Sequence, residues 1–157
     1  MMSVLASSPE ELRELYRELI LDHARSPRHF GKLENATHHA EGINPLCGDK
    51  LKMYFVIDDD GKIAEARFEG SGCAISVASA SLLTETVVGL TVQEAMSRFS
   101  GVVDALTGAT QPDTTELGKL AALLGVREFP SRVKCATLSW HALNAAINQD
   151  KEPATTE

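Results

Sequence analysis

The amino-acid sequence predicts an α+β fold, a small antiparallel sheet of about three strands with helices packed on one face. Two patterns carry that reading. From Lys50 to Ile57 polar and apolar residues alternate with the period of a strand, and Lys62 to Glu69 runs back beyond an Asp58-Asp59-Asp60-Gly61 turn. On either side of this hairpin the apolar spacing is helical. A chain that runs helix, hairpin, then helices covers one sheet face with its helices. The 157 residues are read as one domain, long enough for a real core.

Each element has its own local cause. Ser8 caps the first helix, Pro9 suits its first position, and Glu11 completes a capping box. Leu12, Leu15, Leu19 and His23 or Ala24 follow the helical period, and Pro27 ends the helix by about Ser26. Arg28 to Ala40 is polar and holds His29, His38, His39 and Gly31, with a shorter strand expected within Thr37–Ile43. In the hairpin, Leu51, Met53, Phe55 and Ile57 share one face, with Lys50, Lys52, Tyr54 and Val56 on the other. After Gly70-Ser71-Gly72, the stretch Ala74 to Val88 reads as a helix with Ile75, Ala78 and Leu82 on one face. Its many Ala and Ser residues predict close packing, and Gly89 ends it. Thr91 and Glu94 form a second capping box for a helix with Val92, Ala95, Met96 and Phe99 on its apolar face. Gly101 to Gln111 reads as a ragged continuation. Asp113 with Glu116 opens a short helix carrying Leu117, Leu120, Ala121 and Leu124, and Gly125 stops it. The last helix starts near Pro130 with an apolar stripe of Val133, Ala136, Trp140, Leu143 and Ile147. From about residue 151 the chain reads as a disordered tail, frayed from Glu152 onward.

Composition narrows the function classes. A net charge of -7 with no basic stripe argues against a nucleic-acid partner. No apolar run is long enough to cross a bilayer, and Met1-Met2-Ser3-Val4-Leu5 lacks the features of a secretion signal, so a cytoplasmic location is expected. Three cysteines cannot form a complete disulfide framework, and in a reducing compartment metal binding or catalysis is the better use of them.

Those cysteines, with one aspartate, are the candidate site. Cys47 and Asp49 flank Gly48 in Asn44-Pro45-Leu46-Cys47-Gly48-Asp49; Cys73 follows Gly70-Ser71-Gly72; Cys135 lies early in the last helix, beside Lys134 and near Arg132. Three thiolates and a carboxylate suit a tetrahedral zinc ion. A thiolate is also the group that accepts and passes on sulfur, and cations or a helix N-terminus favour that form. Each cysteine alone could be a small buried hydrophobe. A purely structural zinc is the stronger competing reading, but such sites draw on tight Cys-x-x-Cys pairs, and none occurs here. A carboxylate ligand exchanges more readily than a fourth thiolate, which favours a site that opens. Other motifs carry less. His38-His39 reads as a solvated pair, His23 as a partly buried helix residue, and His141 as facing away from the apolar stripe. Asp58-Asp59-Asp60-Gly61 lacks the further ligands of a calcium loop and is a turn.

At these residues the chain resembles the SufU branch of the IscU-like iron–sulfur assembly family. The likeness runs roughly from Tyr16 to Ile147 and includes the N-terminal signature Tyr16 to Gly31, in which His29 stands where the family has Asn. Lys134 replaces the histidine that precedes the third cysteine of IscU scaffolds, and the stretch around Gln111–Gly125 resembles the extra segment of SufU-like chains. The resemblance implies that Cys47, Asp49, Cys73 and Cys135 bind zinc. It implies a sulfurtransferase whose Cys47 accepts persulfide sulfur from a SufS-type cysteine desulfurase, after a histidine of that partner displaces Cys47 from the zinc. Arg132 would assist near the thiolate. The sulfur would pass to a SufBCD-type assembly complex. The alternative is a scaffold on which an iron–sulfur cluster is built by the same ligands, since thiolates hold clusters well. A zinc protein with only structural and interaction roles is the third reading.

Overall fold

The computed structural model describes residues 9–108 and 117–156. Their order is α1 (Pro9–Arg25), β1 (His38–Asn44), β2 (Asp49–Ile57), β3 (Ile63–Ser71), α2 (Ala74–Val87), α3 (Val92–Thr107), a 3-10 helix (Gly118–Val126), α4 (Pro130–Ile147) and β4 (Ala154–Thr155). The Ser8 cap and the Asp113–Glu116 cap lie outside the described residues. The architecture is α+β, as the sequence predicts, with one strand more than expected: among the described residues the sheet order is β3-β2-β1-β4. β1, β2 and β3 are antiparallel neighbours, and β4 adds to β1 in parallel.

The hairpin forms for the reasons its sequence gives. Leu51, Met53 and Phe55 are buried on one face. In the turn, Asp58 Oδ1 accepts the N–H groups of Asp60 and Lys62 at 2.9 and 3.0 Å, so this acidic run is occupied in holding its own backbone. β1 is a full seven-residue strand, longer than the sequence indicates. Its residues Ala40, Gly42 and Asn44 are buried, in the alternation of a one-sided sheet.

The helices cover that inner face. α4 packs on β1 and β2 and also meets α2 and α3. It is therefore buried on nearly every side, from Cys135 to Ala146, rather than along the single stripe the sequence indicates. Small side chains let α2 approach it, as expected. Ser79 Oγ donates to the Ala136 carbonyl at 2.6 Å and accepts the Trp140 indole N–H at 3.2 Å, which pairs the polar edge of a fully buried ring. The Thr91–Glu94 capping box is present, and α3 continues unbroken to an αL cap at Gly108. Gly118–Val126 is 3-10 rather than α, and it runs past Gly125 to Val126. The expected frayed tail is replaced by β4, whose Ala154 and Thr155 lie beside Gly42 and Ile43.

α1 buries most of the expected face, with Leu19, His23 and Ala24 turned toward the core, but not Leu15. Leu15 is 43% exposed, whereas Ile20 and His23 are buried and Tyr16 packs against the core. Ser81 Oγ accepts the Arg28 backbone N–H at 2.8 Å and lies 2.7 Å from His23 Nδ1. His29, in the following turn, has φ +58°, a backbone state that asparagine adopts more readily than histidine.

Burial holds His23 below the ordinary histidine range, with Arg28 and Lys119 acting the same way and Glu85 and Asp22 opposing. Burial also lowers His141. A depressed folded-state value means the neutral ring contributes stability that is complete above the ordinary value and is lost as pH falls through the folded one. Stability should therefore decline as pH falls below about 6.5, toward the lowered folded-state values of His23 and His141. His23→Gln should flatten part of that decline, with His141 supplying the rest; denaturation midpoints across the range check it.

Candidate metal centre

The β1–β2 connection, the start of β2, the N-terminus of α2 and the second turn of α4 meet at one end of the sheet. Asn44 and Asp49 are register partners, so only residues 45–48 bridge the two strands. The Asn44 carbonyl accepts the N–H groups of Cys47 and Gly48 at 3.3 and 2.9 Å. Gly48, at φ +74°, takes a left-handed turn that aims the chain into β2. This leaves Cys47 exposed at the rim, while Asp49 is buried as the first residue of β2.

Asp49 is locked there by α2. Its Oδ1 accepts the Cys73 N–H at 2.9 Å, so the carboxylate caps the helix that Cys73 begins. Two glycines make room. A Cβ on Gly70 would overlap the Lys50 carbonyl oxygen, and Gly70 sits at φ +125°. A Cβ on Gly72 would lie 2.8 Å from Asp49 Oδ1 and overlap Ser76 Oγ. Gly70→Ala should cost about 3 kcal/mol, because backbone strain and a clash with an unyielding carbonyl coincide. A lowered denaturation midpoint checks it, and an unchanged midpoint would show that β3 can shift away from β2.

Cys135 closes the group from α4. One ligand atom each from Cys47, Asp49 and Cys135 lie within 4.8 Å of one another. The Cys135 and Cys47 sulfurs are 3.6 Å apart. Tetrahedral donors on 2.3 Å zinc–sulfur bonds stand about 3.8 Å apart, so this spacing already suits one ion. Burial pushes the Cys135 thiol far up, reinforced by hydrogen bonds with Cys73, Asp49 and Cys47 and by the charge of Cys73. Several acids packed this closely cannot all ionise unaided, and a divalent cation is the group that lets them. The residues thus fit a metal by donor type, spacing and electrostatics.

The expected site residues fall into three positions. Cys47, Asp49 and Cys135 come together. Cys73 stands outside that tightest group and reaches it through Cys135. Arg132 is exposed, one helical turn before Cys135. His38 and His39 belong to no group of potential metal ligands among the described residues; they line a cavity of about 410 Å³ at the sheet edge. Asn44 was part of the cysteine box but had no role from sequence. Its burial at the end of a strand, with its amide aimed at two ligands, appears only in three dimensions.

A thiol and carboxylate centre at the end of an α+β sheet defines a class, and comparison with known proteins places the chain in it. The NifU-like N-terminal domain model matches residues 15–136, and the chain belongs to that family. Among individual relatives, it is 40% identical over 140 residues to the zinc-dependent sulfurtransferase SufU of Bacillus subtilis, covering 89% of this chain and 94% of that protein. It is 37% identical to the iron–sulfur cluster assembly scaffold protein IscU of Thermotoga maritima, over 88% of this chain and 96% of the relative. The crystal structure of FiSufU, a SUF-system protein from Fervidobacterium islandicum, superposes with a TM-score of 0.79 at 37% identity, covering 86% of this chain and 98% of that one. Among the described residues, no helix is long and apolar enough to cross a membrane.

Proposed function

We propose that this protein is a zinc-dependent sulfurtransferase that takes persulfide sulfur from a SufS-type cysteine desulfurase on Cys47 and passes it on for iron–sulfur cluster assembly. The observation that carries this reading is the contrast within the cluster: Cys47 is exposed while Asp49 and Cys135 are each 1% exposed. A purely structural ion would be enclosed on all sides. Cys47, Asp49, Cys73 and Cys135 would hold the ion, and zinc there would keep thiolates deprotonated without changing oxidation state.

The transfer itself is a thiol–disulfide type exchange. The Cys47 thiolate attacks the outer sulfur of the partner's persulfide. The sulfur–sulfur bond breaks, the partner's cysteine leaves as a thiolate, and Cys47 carries the persulfide. No net oxidation occurs, because the transferred sulfur keeps its oxidation level. Arg132, one turn from Cys135 and open to solvent, would stabilise negative charge at the rim. The recipient would be a SufBCD-type complex.

A cluster-building scaffold is the second reading, favoured by the relatives named as scaffolds at 37% identity. Lys134 in place of the scaffold histidine weighs against it. Metal content and the optical spectrum of protein purified without oxygen separate the two. About one colourless zinc per chain is the expected result. A brown protein with stoichiometric iron and sulfide would overturn the transferase reading in favour of the scaffold.

A further inference from the structure

Asn44 is fully buried at the end of β1, where its backbone and side chain act on different parts of the cluster. Its carbonyl holds the turn that presents Cys47. Its amide points the other way: Nδ2 lies 3.4 Å from Asp49 Oδ2 and 3.6 Å from Cys135 Sγ. An amide nitrogen has two hydrogens, and here two acceptors face it. Oδ1 is buried with no partner. Flipping the amide would set that oxygen against the Asp49 carboxylate and leave the NH2 group buried without acceptors, so the pocket selects the observed orientation.

Cys47 has no comparable hold. It is exposed, and it accepts a hydrogen bond from the Cys135 thiol, a proton that metal coordination removes. Asp49 is pinned from both sides, by Cys73 N–H on one oxygen and Asn44 on the other. Cys135 is pinned by Asn44 within a buried helix turn.

We propose that Asn44 is a positioning residue whose amide clamps Asp49 and Cys135, so that Cys47 rather than Cys135 is the thiolate the site gives up. This rests on the zinc–thiolate reading above and adds what decides which ligand leaves. Hydrogen-bond partners of metal ligands are worth about 10–100-fold in metal affinity, so the clamp is strong enough to rank the ligands.

The test is timed alkylation of the zinc-loaded protein with iodoacetamide, with each cysteine followed by peptide mass spectrometry. In the wild type, Cys47 should react about tenfold or more faster than Cys135. In Asn44→Ala the preference should fall by about tenfold through faster reaction at Cys135, and a colorimetric chelator should draw zinc out about tenfold faster. The thiolate-to-metal absorption bands of the cobalt-substituted protein should shift in the same variant. General loosening would speed Cys73 and Cys135 alike, and that pattern, or an unchanged Cys47 preference, would overturn the proposal. If Asn44→Ala does not fold, the wild type still decides, because equal rates at Cys47 and Cys135 in the zinc-loaded protein overturn it. A wild type that carries no zinc removes the metal reading and this inference together, whereas zinc with the wrong preference removes this inference alone.

Discussion

Cys47→Ala is expected to abolish stimulation of a SufS-type cysteine desulfurase while leaving the protein folded. Loss of the sulfur-accepting nucleophile should cost about 100-fold or more in stimulated turnover, the scale seen when a covalent nucleophile is deleted. The structural side is small. Cys47 is exposed in a four-residue connection whose backbone bonds to Asn44 do not involve the thiol. An exposed substitution of this kind moves stability by about 0.5 kcal/mol or less, so the metal-free variant should unfold close to the metal-free wild type. The competing readings give other outcomes. A scaffold would lose cluster assembly yet leave the desulfurase response intact. A structural zinc site would show a stability loss without a selective activity loss. Desulfurase turnover with and without the variant, beside paired denaturation curves, separates all three, and unimpaired stimulation by Cys47→Ala would remove Cys47 from its assigned role.

The same contrast explains what could be read from the sequence. Cys47, Cys73 and Cys135 announce themselves, because rare residues beside Gly, Pro and cations stand out in one dimension. The hairpin is equally legible, since period-two alternation and an Asp-Gly turn are local signals. The rest depends on contacts distant in sequence. α4 has no single stripe to find because sheet and helices surround it, and its Ala, Ser and Thr residues are buried by close approach rather than by hydrophobicity. α1 is legible except at Leu15, which is left in solvent, whereas His23 goes inside beside Ser81 as its place on the apolar face suggests. β4 is a two-residue strand, too short to carry a pattern, and its partner Gly42 lies more than a hundred positions away. Asn44 is the instructive miss. It stands in the Asn44-to-Asp49 box with no role of its own, and only the return of α4 brings Cys135 to its amide.

Removing the metal should destabilise the protein strongly but locally. The proposed ligands come from the β1–β2 connection, β2, the first residue before α2 and α4, so the ion ties together segments that are far apart along the chain. A site that exists only in the folded state adds its occupancy to folding free energy, about 4 kcal/mol when the ligand is at a thousandfold excess over its dissociation constant. For a chain of this size that corresponds to a fall in melting temperature of about 10 °C. Loosening should spread from the cluster, where buried Cys135 must keep its proton and Asp49 remains fixed by Cys73. Amides of Cys47, Gly48 and Cys73 and of the first turns of α4 should lose hydrogen-exchange protection. The β2–β3 ladder and the Trp140–Ser79 contact should keep theirs, because neither passes through a ligand. Readdition of zinc should restore both the melting temperature and the protection. Complete metal removal with no change in melting temperature would show that the fold closes this cluster unaided, and the site would then be a transient binder of its ion rather than a resident zinc centre.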